Sequence, residues 1–273
     1  MIGRRRPQAS NESPDIGKPG LQHFRLTGSI KGSLQETISD IAVDTDGRIF
    51  LCSEFRCFCV HVYDEYYNLI KSVEMENRNP CRITILPNSS KKAVVVFGSD
   101  MIQFLNLNSL LVGDVIEFDF RVTGITSSEN NIYLGSKGKI YILDMNCQIC
   151  NTIPTLNSLE FVQFIHLGIG DRIYYTDYKN YQCITYKGQR VLHLSIPDEG
   201  SHRNMIADSQ GYLYVVGMQS VTIARFHPDG VMESIILDKK DDIKYPLAAC
   251  FNKARDKLFV SKKEECVKVF KCS

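Results

Sequence analysis

Ile41-Ala42-Val43-Asp44-Thr45-Asp46-Gly47-Arg48-Ile49-Phe50-Leu51 reads as an apolar strand, a polar turn and a second apolar strand. In the turn, glycine can take a positive φ and the short acidic side chains can bond local backbone. The second strand returns five times, as Val94-Val95-Val96-Phe97, Ile132-Tyr133-Leu134, Ile173-Tyr174-Tyr175, Leu213-Tyr214-Val215-Val216 and Leu258-Phe259-Val260. Counted from Ile49, successive starts lie 45, 38, 41, 40 and 45 residues apart. Self-similarity at that period, with four short strands per unit, marks β-propeller blades. The predicted fold is all-β, a six-bladed β-propeller.

The turn recurs in altered form as Ser128-Glu129-Asn130-Asn131, Gly168-Ile169-Gly170-Asp171-Arg172 and Asp208-Ser209-Gln210-Gly211. Third strands alternate at period two, as in Val60-His61-Val62-Tyr63 and Ile140-Tyr141-Ile142-Leu143. Tight turns such as Pro228-Asp229-Gly230 lead into fourth strands. The expected blades span about 38–75, 80–119, 122–154, 159–197, 203–238 and 245–270, within a single propeller domain over 22–273. Residues 1–21 read as a disordered leader, polar and proline-bearing after three arginines. After Phe270 only Lys271-Cys272-Ser273 remain, too few for a fourth strand. The strand-like piece at 23–30, His23 to Ile30, is therefore expected to close the last blade and remove an exposed edge.

Composition is that of an ordinary soluble chain, with 32 basic against 31 acidic residues and no run of 18 apolar residues. Balanced charge gives no basic stripe of the kind nucleic acid favours. The N-terminus lacks the apolar stretch of a secretory signal, so the ten cysteines are expected to be reduced thiols in a cytoplasmic protein.

The unit Ile41 to Leu51 with Val60-His61-Val62-Tyr63-Asp64 resembles an NHL repeat, as do Met205 to Val215 with Arg225-Phe226-His227-Pro228-Asp229-Gly230. The chain is thus similar over 22–273 to the NHL propeller at the C-terminus of tripartite-motif (TRIM) proteins. Absence of tryptophan argues against WD40 repeats. These 273 residues hold no Cys/His array and no heptad run. The resemblance therefore implies a recognition or scaffolding module without ligase machinery.

Several constellations have plainer readings than chemistry. Asp44-Thr45-Asp46-Gly47 opens like a calcium loop, but a strand follows where further oxygen ligands are needed. Cys147-Gln148-Ile149-Cys150 is a lone pair in a turn, with no second pair to complete a zinc site. A metal-dependent hydrolase or lactonase would draw ligands from the innermost strands, which are mostly apolar; His166 is the one candidate there. No cofactor and no metal are expected, and the chain is expected not to be an enzyme.

Binding residues concentrate on loops held by a rigid scaffold. In a propeller, turns between second and third strands share one face with the links between blades. Those turns contribute Phe55, Arg56, Asp100, Lys137, Lys179, Tyr181, Gln219 and Lys263; the links contribute Arg78, Arg121, His202, Arg203 and Tyr245. Pooled, the set is rich in Arg, Lys and Tyr, which serve protein hot spots and can also clamp nucleic acid. The expectation is a monomer that binds a protein or peptide partner through this face and no membrane, with RNA binding through the same face as the alternative.

Overall fold

A computed structural model describes residues 23–31, 37–54, 58–76, 78–87, 91–177, 180–193, 202–263 and 266–273. The expected leader at 1–21 lies outside them. The described residues form six four-stranded antiparallel sheets. Blade 1 is β2 (Thr37–Val43), β3 (Ile49–Glu54), β4 (Cys59–Tyr63) and β5 (Leu69–Glu74). Blade 2 is β6 (Arg82–Ile85), β7 (Lys92–Val96), β8 (Met101–Asn106) and β9 (Leu111–Glu117). Blade 3 comprises β10 (Gly124–Ser127), β11 (Ile132–Ser136), β12 (Lys139–Leu143) and β13 (Ile149–Pro154). Blade 4 comprises β14 (Phe164–Leu167), β15 (Arg172–Thr176), β16 (Tyr181–Thr185) and β17 (Arg190–His193). Blade 5 is β18 (His202–Ala207), β19 (Leu213–Gly217), β20 (Thr222–Phe226) and β21 (Met232–Leu237). Blade 6 takes β22 (Pro246–Phe251), β23 (Lys257–Lys262) and β24 (Cys266–Cys272) from the C-terminal end. Its outer strand is β1 (Phe24–Lys31), paired antiparallel to β24 from Phe24 opposite Cys272 to Lys31 opposite Cys266. The closure expected from the short C-terminal remainder is therefore present.

Innermost strands β2, β6, β10, β14, β18 and β22 contact one another in that order, and β22 returns to β2. The core is correspondingly divided into layers between neighbouring blades. Phe50, Cys52, Val60 and Val62 pack with Ile83, Val95 and Leu105 between blades 1 and 2. On the other side of the same strands, Ile41, Ile49 and Leu51 pack with Phe259, Val267 and Val269 of blade 6. Alternation at period two sends successive side chains of β3 into different layers. A second strand buried on both faces thus reads as a continuous apolar run, because each of its faces meets a blade.

The polar turns are pinned by their own side chains. Asp44 accepts hydrogen bonds from the backbone N–H groups of Asp46 and Arg48, both at 2.9 Å. Asp208 does the same for Gln210 and Tyr212 at 2.9 and 3.0 Å. Gly47 and Gly211 close these turns at φ values of 81° and 85°, a region glycine enters at no steric cost. The calcium-like opening is therefore a turn between strands, with the Asp44 carboxylate occupied by backbone and by Arg48.

Candidate functional site

The face formed by second-to-third-strand turns and blade links is held by backbone hydrogen bonds. In blade 2, the Ser99 and Asp100 carbonyls accept from the N–H groups of Val122 and Phe118, each at 2.7 Å. In blade 3, Gly138 N–H donates to the Glu160 carbonyl and Val162 N–H to that of Ser136, at 2.9 and 3.2 Å. Each turn is thereby sewn to the link that follows its blade, which preorganises the side chains it displays.

Of the sequence-predicted residues, Asp100, Arg121, Lys137, Gln219, Tyr245 and Lys263 are exposed on this face. Arg121 donates through Nε to the Gly98 carbonyl, and its guanidinium lies 5.5 Å from the centre of the Phe161 ring. Arg78 is half-buried, 6.0 Å from the Phe97 ring and 3.9 Å from a Glu76 carboxylate oxygen. Tyr245 is 54% exposed with φ of 45°, so its backbone holds a conformation that a non-glycine residue seldom adopts. Nearby, Asp242 pairs with Lys262 at 3.7 Å and with Lys268, and these lysines hold its carboxyl below the usual range.

Three predicted positions differ. Tyr181 is not a rim residue: it opens β16 buried in the layer between blades 4 and 5, its hydroxyl donating to the Val216 carbonyl at 3.1 Å. The polar neighbours Lys179 and Asn180 in the sequence suggested a turn, whereas the aromatic body fills the layer. His202 and Arg203 belong to the innermost strand β18 rather than to the preceding link. Phe55, Arg56 and Lys179 lie outside the described residues.

The innermost strands also carry polar groups that an apolar reading passed over. Asp40, 8% exposed, accepts from the N–H of Ile83 in the next blade at 3.0 Å. Arg82, 5% exposed, donates to the Gln163 carbonyl at 3.1 Å, and its guanidinium lies 3.9 Å from the centre of the Phe164 ring. Because blade 3 lies between blades 2 and 4 in the ring, Arg82 crosses the channel at the end facing the rim described above. Its aliphatic neighbours in sequence gave no hint of that reach.

At the opposite end of the channel is a cavity of about 220 Å³, lined among others by His166, Arg172, Tyr174, Asp208 and Arg255. Burial, and secondarily the Arg255 charge, push the His166 imidazole down to about 4. Burial raises the Tyr174 phenol, against the opposing effect of its hydrogen bond with Arg172. Among the described residues, no three His, Cys, Asp or Glu side chains converge as a metal-ion site. Cys147 is half-buried and its thiol is pushed up by burial and by Asp144; Cys150 is exposed. No described helix is long and apolar enough to cross a membrane.

Compared with known proteins, the chain matches no protein-family model and no curated protein.

Proposed function

We propose that the chain is a non-catalytic interaction module that binds a protein or peptide partner through the face of second-to-third-strand turns and blade links. Propellers commonly serve as interaction scaffolds, and the NHL-like turns at Asp44 and Asp208 support a recognition role of the TRIM type. The observation that carries the reading is Tyr245: a half-exposed aromatic held in a left-handed backbone conformation, near the Asp242 ion pairs. Tyrosine offers large contact area at small entropic cost, and Arg121 beside Phe161 supplies a second anchor on the same face.

RNA is the less supported ligand of this face. Its basic residues alternate with acids, and Lys262 and Lys268 are paired to Asp242. A phosphate backbone needs a continuous positive track. Eight described cysteines are free thiols, which fits a reducing compartment.

Partners crosslinked to the wild-type chain at physiological salt are to be compared with those of Tyr245→Ala and Arg121→Ala. In parallel, the chain is titrated with pooled structured and single-stranded RNAs at two salt concentrations. The proposal expects a protein whose direct binding, remade from purified components, is salt-tolerant and falls at least about tenfold in each variant. Tight, salt-steep RNA binding lost in Arg121→Ala would replace the protein partner with RNA.

A further inference from the structure

The cavity at the far end of the channel is distinct from the face assigned to a macromolecular partner. Three blades build it. Blade 4 supplies His166 from its innermost strand, Ile169 from the turn after it and Arg172 from the head of β15. Blade 5 supplies Asp208 and Pro228, and blade 6 supplies Arg255.

Both arginines are aimed by backbone. Arg172 donates through Nη1 to the Pro228 carbonyl at 2.7 Å and also bonds the Tyr174 side chain. Arg255 donates through Nη1 to the Ala207 carbonyl. It stands in the turn between β22 and β23 at φ of 58°, a left-handed conformation that a non-glycine residue seldom adopts. The turn enforces it. Arg255 N–H donates to the Asn252 carbonyl, and the Asn252 side chain bonds both Lys257 N–H and Asp256. A strained residue whose side chain reaches from its own blade to the next and lines a cavity points to a role there. A guanidinium has five N–H donors, so one bond to a carbonyl leaves most of its fork for a ligand.

The lining narrows the ligand. The Asp208 oxygens are occupied by its own turn and by the Tyr214 hydroxyl at 3.0 Å, and the Arg225 guanidinium pairs with it at 3.9 Å, which leaves Arg172 and Arg255 as the positive charges of the wall. Beside Tyr174 and Ser209, the side chains of Leu167, Ile169, Ala207 and Pro228 add apolar surface that inorganic phosphate cannot cover. We propose that the cavity binds a small monocarboxylate with an apolar body, its carboxylate on the Arg172 and Arg255 guanidiniums and its body against Ile169 and Pro228. Neutral His166 adds a hydrogen-bonding group, and an anion beside Arg255 would offset the part of the imidazole's depression that the Arg255 charge adds to burial.

The test uses the full chain with isovalerate, its uncharged amide isovaleramide, and inorganic phosphate, read by calorimetry and by the NMR titration of His166. Isovalerate is expected to bind saturably and raise the His166 pKa; the amide and phosphate are expected to do neither. Arg255→Ala is expected to weaken isovalerate at least about tenfold, the loss of one charge-assisted hydrogen bond. Since Arg255 also ties blade 6 to blade 5, Ile169→Asp is the companion variant. Ile169 is 63% exposed, so the change leaves the fold intact and sets a negative charge at the opening, with a loss of similar size. Equal binding of the amide, stronger binding of phosphate, unchanged affinity in Ile169→Asp, or no isovalerate binding would each overturn the assignment.

Discussion

Asp44 and Asp64 make the same turn in different surroundings. Each accepts from two backbone N–H groups, at 2.9 and 2.9 Å for Asp44 and at 2.9 and 2.8 Å for Asp64. Asp44 is only 3% exposed and also grips Arg48 at 2.7 Å, whereas the Asp64 bonds face water. Removing one partner of a buried pair strands the other charge. Asp44→Ala is therefore expected to lower unfolding free energy by about 3 kcal/mol in urea titration, and Asp64→Ala by clearly less. Equal losses would show that burial is not what separates them. His166 offers a second residue-scale test. Its folded pKa of about 4 lies below the 6.5 of an unfolded histidine, so the unfolded chain takes up the proton first. Its contribution to stability is present above pH 6.5 and declines as pH falls toward 4. Wild-type stability is expected to drop across that window, and His166→Gln to flatten the drop. The depressed carboxylates Asp64, Asp229 and Asp242 act in a separate window, losing their contribution only as pH falls below their ordinary value of 3.8.

At the scale of elements, each blade is bound to the next by small repeated devices. Ser39 donates to the Cys52 carbonyl within its own blade and to the Cys81 carbonyl before blade 2, at 3.3 and 3.1 Å. Thr123 repeats this with the Gly135 and Val162 carbonyls, between blades 3 and 4. A basic residue at the head of the second strand is a second device: Arg48 bonds the Leu107 carbonyl of blade 2 as Arg172 bonds the Pro228 carbonyl of blade 5. Close approach is the third. A Cβ on Gly135 would stand 2.8 Å from the Val162 carbonyl oxygen, whereas one on Gly28 would meet only a Tyr67 ring carbon at 3.4 Å. Gly135→Ala is expected to cost about 1–3 kcal/mol as overpacking. Gly28→Ala, in the outer strand of blade 6, is expected to stay within about 0.5 kcal/mol. Thermal melts of the two variants decide it, and matched melting temperatures would refute the steric account.

For the whole molecule, the ring is closed by one antiparallel pairing between chain ends far apart in sequence. Without β1, the outer edge of β24 would be an unpaired row of backbone groups, and Ile30 would no longer fill the layer between blades 6 and 1. Deleting residues 22–31 is expected to lower stability by several kcal/mol, on the order of half a typical domain's total, or to drive association through the open edge. An unchanged melting temperature together with a monomeric elution profile would mean that the ring holds without its clasp.

What the sequence determined by itself was the architecture. Period-two alternation and the return of Ile49-Phe50-Leu51 about every 42 residues are local signals, set by pleating and turn chemistry within one blade. The leftover strand at Phe24–Lys31 made closure legible as well, since only the last blade lacked an outer strand of its own. The tertiary structure alone decided which polar residues meet. Tyr181 looked like a loop aromatic and is core. Arg82 heads an innermost strand, a set read from the sequence as mostly apolar, and crosses the channel to Gln163. His166, Arg172, Asp208 and Arg255 come from three blades and share one cavity. Nothing local marks an arginine in a turn as facing inward, because its direction is set by the carbonyl it finds on a neighbouring blade, and that carbonyl has no signature in sequence.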